Sequence, residues 1–411
     1  MKFNFGKTPI DGYISVSPSD DYTSEKGYGF VHVCHISPEL LQHDTYTTCA
    51  RTDIPVGFDF YTGENGTYNV RITSRGLTGK MTILSENRRF MYTDYEIKDG
   101  ETTVFEFTVN VCDIHKHGAE YVKKDRLNLM FMGNVVISTI EIEKTDAPTI
   151  YFAGDSTVTD QPAEYPYNPS STYCGWGQML GGLLKKGIAV SNHAQSGSTT
   201  QEFKECNWLV VKERLKSGDM LFVEFGHNDQ KVESLDAFGG YADNLRYYVN
   251  EARKVGAYPV LCSPINRIIF EENGTLLNLL GDYRNAVKQV AEEMNVPFID
   301  MWSKTTEYFE ADGPVHSWSW FWGDGENRDY THTNDLGGAL VAKFGAQEII
   351  DKKIKPVCDF VKTELISVQI PKREKTDAVN SSKEMSHLTT IGLVNVPKGA
   401  IPDIDKDITN I

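Results

Sequence analysis

Near residue 146 the hydrophobic period of the chain changes, and this change constrains the fold more than any other feature. Before it, apolar and polar residues alternate. Tyr68-Asn69-Val70-Arg71-Ile72 and Val104-Phe105-Glu106-Phe107-Thr108-Val109-Asn110-Val111 both run in period two, as does Ile137 to Glu143 with Ile140 and Ile142 on one face. Alternation of this kind sets one face of a strand on a core and the other in water. Turn-forming clusters such as Gly63-Glu64-Asn65-Gly66 separate the runs, and strong helical periodicity is absent. Residues 1–145 are therefore expected to form an all-β sandwich.

After Asp146-Ala147-Pro148 the pattern becomes short, continuous apolar runs separated by stretches of helical period. The runs are Ile150 to Ala153, Ile188 to Val190, Met220 to Phe225, Pro259 to Cys262 and Pro297 to Ile299. The intervening stretches are typified by Ala242 to Lys254 and Tyr283 to Met294. Strands buried on both faces read as continuous apolar runs, and helices between them cross over both faces of a parallel sheet. The expectation is a five-stranded, doubly wound parallel sheet of the flavodoxin-like order 2-1-3-4-5. A last helix starts near Asn334-Asp335, either of which can cap it, and runs to about Lys353. From Pro356 the signal fades into a polar tail. The expected organisation is a sandwich over 1–145, an α/β domain over 146–360 and a tail of unassigned role over 361–411. Two domains also suit 411 residues, which exceed what one core usually holds.

A net charge of −16 disfavours nucleic acid and anionic membrane surfaces as partners. No run of about 18 apolar residues occurs, so no membrane-spanning helix is expected. The N-terminus, Met1-Lys2-Phe3-Asn4-Phe5-Gly6-Lys7, has no apolar stretch of leader length. A cytoplasmic location follows if Met1 is native, and a secreted one if a leader was removed. The 7 cysteines are scattered without a C-x-x-C pair, which points to free thiols and to no metal cluster.

In an open parallel sheet, ligands bind at the carboxyl ends of the strands. The residues there are Gly154-Asp155-Ser156-Thr157, then Asn192-His193 with Gly197-Ser198, then Gly226-His227-Asn228-Asp229; Asp329-Tyr330-Thr331-His332 stands before the last helix. Each piece alone has an ordinary reading: Ser156 in a capped turn, His332 as a satisfied polar residue, Asp329 as a helix cap. Their joint placement at one sheet edge favours chemistry. A serine hydroxyl needs a base to become a nucleophile, and the base needs an orienting carboxylate. Ser156, His332 and Asp329 supply these, with Asp300 and Asp324 as alternative carboxylates. The backbone N–H of Ser156, the backbone N–H of Gly197 and the side-chain amide of Asn228 are candidate donors to an oxyanion.

These blocks resemble those of SGNH hydrolases, also called GDSL-type esterases. Gly154-Asp155-Ser156-Thr157 is similar to the nucleophile block, Gly197 to the glycine donor, Gly226-His227-Asn228-Asp229 to the Gly-x-Asn-Asp block and Asp329-x-x-His332 to the last. The Gly-x-Ser-x-Gly elbow of α/β-hydrolases is absent around Ser156. Phe225-Gly226-His227-Asn228-Asp229-Gln230-Lys231, Ser263-Pro264-Ile265-Asn266-Arg267 and Gly281-Asp282-Tyr283 resemble rhamnogalacturonan acetylesterases. Gly12-Tyr13 and Glu25-Lys26-Gly27-Tyr28-Gly29-Phe30 resemble the sandwich, galactose-binding-like in kind, that precedes the esterase domain in bacterial members. The likeness covers about residues 1–360. It departs from the family pattern in the tail and in Asn192-His193-Ala194-Gln195-Ser196.

The resemblance implies a serine carbohydrate acetylesterase acting on an acetylated oligosaccharide, with no metal or organic cofactor. The rival readings are an esterase for another acetylated glycan or small acyl ester, and a non-catalytic carbohydrate-binding protein. Expected substrate contacts are Asp155, Trp176, His227, Arg267 and Trp320. Trp318, Trp320 and Trp322 can stack on sugar rings or simply pin a loop. Arg267, Lys231 and Arg284 are the basic residues closest to the expected site, where a guanidinium fork would suit a galacturonate carboxylate.

Overall fold

Pairing of the alternating segments produces two sheets laid face to face. The computed structural model describes residues 1–116, 120–271 and 273–372. One sheet has five strands in the order Ile14–Ser15, Lys2–Asn4, Thr139–Thr145, Gly66–Arg75 and Thr102–Val111. The other has six, running Tyr28–Val31, Thr47–Tyr61, Arg126–Ile137, Gly79–Ser85 and Arg89–Ile97, with Leu41–Gln42 alongside Thr47–Tyr61. Phe3, Val70, Ile72, Phe105 and Phe107 from the first sheet and Phe58, Leu129 and Phe131 from the second meet in one apolar core. This is the β-sandwich that the alternation implies.

Two details differ from the simple pattern. The stretch Ile137 to Glu143 is not one strand: the chain crosses from one sheet to the other at Ser138, whose N–H donates to Thr73. The later part of the polar face of Thr102–Val111 is also not in water. Thr108 and Asn110 are 3% and 5% exposed, because that face lies against the second half of the molecule. There the Thr108 hydroxyl accepts the Gly187 N–H, and Thr67 bonds Thr149 through their hydroxyls.

The second half is a parallel sheet of β1 (Thr149–Gly154), β2 (Ala189–Asn192), β3 (Met220–Glu224), β4 (Tyr258–Cys262) and β5 (Phe298–Ile299), in the order β2-β1-β3-β4-β5. This is the expected 2-1-3-4-5 arrangement. Its helices are α1 (Trp176–Leu180), α2 (Thr200–Glu205), α3 (Asn207–Arg214), α4 (Gly240–Lys254), α5 (Gly281–Met294), α6 (Met301–Ser317, kinked at Gly313) and α7 (Asp335–Asp351). Local chemistry fixes several starts. Thr199 and Glu202 form a capping box on α2, Asp300 caps α6, and Asn334 caps α7 by accepting the Gly337 N–H.

Two apolar cores cover the faces of this sheet. One of them runs on into the sandwich: Leu84, Phe90 and Met132 cluster with Ile150, Phe152, Leu180 and Val357. The expected polar tail starts later than residue 361. Val361 and Ile366 are buried in the same cluster, and Lys362 N–H donates to the Leu183 carbonyl. The rest of that tail, 373–411, lies outside the described residues. All seven cysteines are unpaired. Among the described residues no helix is long and apolar enough to cross a membrane.

The shared core makes a testable claim. All 6 tryptophans lie between residues 176 and 322, so their fluorescence reports on the α/β half alone. Phe90→Ala, a change in the sandwich, should nonetheless lower the urea midpoint of tryptophan fluorescence, with a loss of about 3–5 kcal/mol. An unchanged midpoint would show that the two halves do not share stability.

Candidate active site

The carboxyl ends of β1 and β3, the loop after β2 and the segment before α7 converge on one edge of the sheet. Ser156 follows β1 by two residues. His332 and Asp329 lie on the short strand Arg328–Thr333, just ahead of the α7 cap. The His332 Nε2 atom is 2.8 Å from the Ser156 hydroxyl, and its Nδ1 atom is 2.8 Å from Asp329 Oδ2. Asp329 is held in turn by its other oxygen, which accepts the backbone N–H groups of Thr331 at 2.7 Å and His332 at 2.9 Å. Its carboxylate thus closes a tight turn and orients the ring at once, which the three-residue spacing makes possible. Asp300 is bound to Arg284 and Ser303, and Asp324 closes its own turn with Glu326 and Asn327. Neither is the partner of His332.

The candidate oxyanion donors are tied to the same place. Gln161 donates from its side chain to the Ser156 carbonyl at 3.5 Å and to the Ser196 hydroxyl at 3.0 Å, so it links the β1 loop to the residue before Gly197. The Asn228 side-chain amide donates one hydrogen to the Ser198 carbonyl at 3.2 Å, while its oxygen accepts from Lys231 at 3.1 Å. An amide nitrogen carries two hydrogens, so a second remains for a ligand. Gly197 has φ +76, a left-handed conformation in which a side chain would be strained.

Beneath the serine lies a buried polar chain that the sequence did not reveal. Trp176 donates its indole N–H to Glu224, whose other oxygen is 3.0 Å from the Thr157 hydroxyl. That hydroxyl is 2.8 Å from Asp155 Oδ1, and Asp155 Oδ2 faces His227 Nδ1 at 3.6 Å. Burial, reinforced by the nearby Asp155 charge, pushes the Glu224 carboxyl up to about 8. A protonated Glu224 also solves a donor count. Thr157 has one hydroxyl hydrogen for two acceptors, so it donates to Asp155 and accepts from Glu224. Burial alone would raise Asp155, but His227 and the N–H and hydroxyl of Thr157 outweigh it and hold that carboxyl below its usual value. Asp229, enclosed and accepting from the N–H and hydroxyl of Thr200, is pushed by burial up to about 7.

Several expected substrate contacts are corrected by this arrangement. Asp155 and Trp176 are 0% exposed and His227 is 1% exposed, so all three support the Ser156 loop from behind. Arg267 is buried and its guanidinium donates to the Thr331 hydroxyl, inside the Asp329–His332 turn. Arg284 is spent on Asp300. Trp320 is held by Asp312 through its indole N–H and by Tyr308 through its ring, and Trp318 packs edge-on against Tyr330. The aromatic surface next to the base comes instead from Tyr173 and Trp322. They stack at 4.9 Å, and the Tyr173 ring lies perpendicular to the His332 ring at 5.8 Å between centroids. Among the described residues no cluster of three or more His, Cys, Asp or Glu is placed to hold a metal.

The buried carboxyls give a pH signature. A raised pKa in the folded protein stabilises it fully below the unfolded value, here 4.5 for Glu224, and that stability is lost as pH rises toward about 8. The melting temperature of Glu224→Gln should therefore fall less between pH 5 and pH 8 than that of the parent, by several degrees. Asp229, raised in the same direction, leaves a residual slope in both. Parallel slopes in parent and variant would contradict a protonated Glu224.

The family of GDSL-like lipases and acylhydrolases matches residues 152–340, the stretch that holds every residue of this site. A rhamnogalacturonan acetylesterase of Bacillus subtilis is 37% identical over 211 residues, which cover 49% of this chain and 88% of that protein. An uncharacterized esterase of the same organism is 28% identical over 368 residues, covering 85% of this chain and 90% of the relative. The crystal structure of a B. subtilis protein aligns with a TM-score of 0.47 at 25% identity, over 86% of this chain and 99% of that one. The chain belongs to the GDSL-like lipase and acylhydrolase family.

Proposed function

We propose that the protein is a serine esterase that removes acetyl groups from carbohydrate, with pectin-derived rhamnogalacturonan oligosaccharides as its substrate class. The observation that carries this reading is the unbroken relay from Asp329 through His332 to Ser156, with both hydrogen bonds at 2.8 Å. Family membership and a relative named for rhamnogalacturonan acetyl ester hydrolysis support the substrate class.

In this reading Ser156 attacks the acetyl carbonyl while His332 takes the hydroxyl proton, and Asp329 stabilises the imidazolium that forms. The N–H groups of Ser156 and Gly197 and the second amide hydrogen of Asn228 receive the oxyanion. His332 then returns the proton to the departing sugar oxygen. Water, activated by the same ring, hydrolyses the acetyl-serine and releases acetate. The stacked Tyr173–Trp322 pair beside His332 offers a flat apolar face for a sugar ring. We read residues 1–145 as an accessory sandwich of galactose-binding-like type and 146–360 as the catalytic domain. A binding-only protein has no use for a nucleophile aligned with a base, which weighs against that alternative.

Release of acetate from acetylated rhamnogalacturonan should exceed release from acetylated xylan. The reverse preference would overturn the pectin assignment while leaving the esterase reading intact. Ser156→Ala should fold and lose about 10⁴-fold or more in kcat on any ester. Asn228→Ala should lower kcat by about 10²–10³-fold with little change in KM, since its free hydrogen acts on charge that develops only during reaction; a change confined to KM would make Asn228 a ground-state contact.

A further inference from the structure

The sandwich sends two arginines into the α/β half. Both come from the hairpin of Gly79–Ser85 and Arg89–Ile97: Arg88 is the last residue of its turn and Arg89 the first of its second strand. Arg88, at φ +62, sits in a conformation that L-residues seldom adopt, and it is 3% exposed. Its partners are unusual in their distribution. Nη1 donates to Asp335 Oδ2 at 2.6 Å, Nη2 to the Tyr173 carbonyl at 2.7 Å, and Nε to the Gln161 carbonyl at 3.0 Å. Arg89 is also buried, on Asp160 at 2.7 Å and the Val190 carbonyl at 2.7 Å.

The Arg88 contacts lead to two sides of the site: Asp335 and Tyr173 to the His332 segment, Gln161 to the loops of Ser156 and Gly197. Asp335 is the first residue of α7, three positions after His332, and also accepts from Tyr167. The Tyr173 ring stands perpendicular to His332 at 5.8 Å between centroids. The segment that Tyr173 begins is bonded to the one after His332, since Cys174 N–H donates to the Thr333 carbonyl at 2.9 Å and Thr333 donates back from its hydroxyl. Gln161 reaches both the Ser156 carbonyl and the Ser196 hydroxyl. One planar fork therefore fixes the spacing between the base segment, the nucleophile loop and the loop of the glycine donor. Only a guanidinium has donors enough, in a fixed plane, for three such acceptors.

We propose that Arg88 is a positioning residue of the esterase: the sandwich supplies the side chain that holds Ser156 and His332 in register. This rests on the reading of Ser156 as nucleophile. It gives the accessory half a part in catalysis that carbohydrate binding does not require. A lysine at this position keeps the charge opposite Asp335 but cannot span all three acceptors, so the loops it bridges lose their common reference. Misplacement on the scale of 1 Å costs about 10–100-fold in rate.

The test uses the full chain and two readouts, turnover of 4-nitrophenyl acetate and the rate at which phenylmethylsulfonyl fluoride labels Ser156. Arg88→Lys should lower kcat and the labelling rate together by about 10–100-fold, with KM within about twofold of the parent. If Arg88→Lys does not fold, Arg88→Met combined with Asp335→Asn removes the charge pair together and leaves no lone buried ion; the same losses are expected. Phe90→Ala is the control. Its ring also carries the Arg88 guanidinium at 5.3 Å, so it is paired with Met132→Ala, which weakens the same shared core; in its folded form the Met132 variant should be labelled and turn over at parental rates. Folded Arg88 variants that match the parent in kcat and labelling would overturn the proposal. So would equal losses in Met132→Ala, which would show a general effect of loosening the interface. Failure of the parent itself to be labelled would instead remove the nucleophile reading on which the proposal stands.

Discussion

The hydrogen bond between Ser156 and His332 joins residues 176 positions apart, and the rest of the architecture is what lets it form. A serine at the end of the first strand can meet a histidine ahead of the last helix only if both ends arrive at one edge of the sheet. Parallel strands in the order 2-1-3-4-5 send every carboxyl end to that edge. Asp329 then needs no distant scaffold, since its turn with Thr331 and His332 sets the carboxylate beside the ring. The sheet supplies the long-range part of the geometry and a single turn the short-range part.

The nucleophile loop is supported by polar groups in an otherwise apolar interior, which is an expensive choice unless each group is matched. The matching is done by proton placement. Glu224 sits in a continuous apolar strand, and burial keeps its proton on at neutral pH. It can then donate to Thr157, which donates to Asp155, the residue before Ser156. A chain of this kind fixes the loop more tightly than apolar packing, because each bond has a direction. Arg88 and Arg89 extend the same logic across the two halves, with buried charges matched by Asp335 and Asp160.

How much of this the sequence discloses follows from distance along the chain. The five strands are local patterns readable from spacing; the start of α7 is readable to within Asn334 or Asp335, and Asp329 is a candidate partner of His332 that spacing leaves open against Asp300 and Asp324. The roles of Asp155, Trp176 and His227 are not readable in this way. Polar or aromatic residues beside a nucleophile read as ligand contacts, and only the β1–β3 register, with Gly154 opposite Glu224, shows that they face inward toward a carboxylate. Glu224 is hidden because a lone acid within Met220 to Phe225 looks like the end of a strand. Arg88 is hidden more deeply: it lies in a hairpin turn of the sandwich, where arginine reads as surface, and its acid partner is 247 residues away.

The central claim is that His332, oriented by Asp329, takes the proton of Ser156. The most direct measurement is kcat/KM against pH for the parent, Asp329→Asn and His332→Ala on a chromogenic acetyl ester. The parent should rise with pH as the ring becomes neutral. Asp329→Asn should be reduced by about 10⁴-fold, since the ring survives in a poorer tautomer and orientation, and His332→Ala should lose that titration altogether. A profile for Asp329→Asn that overlays the parent across the whole range would contradict the account.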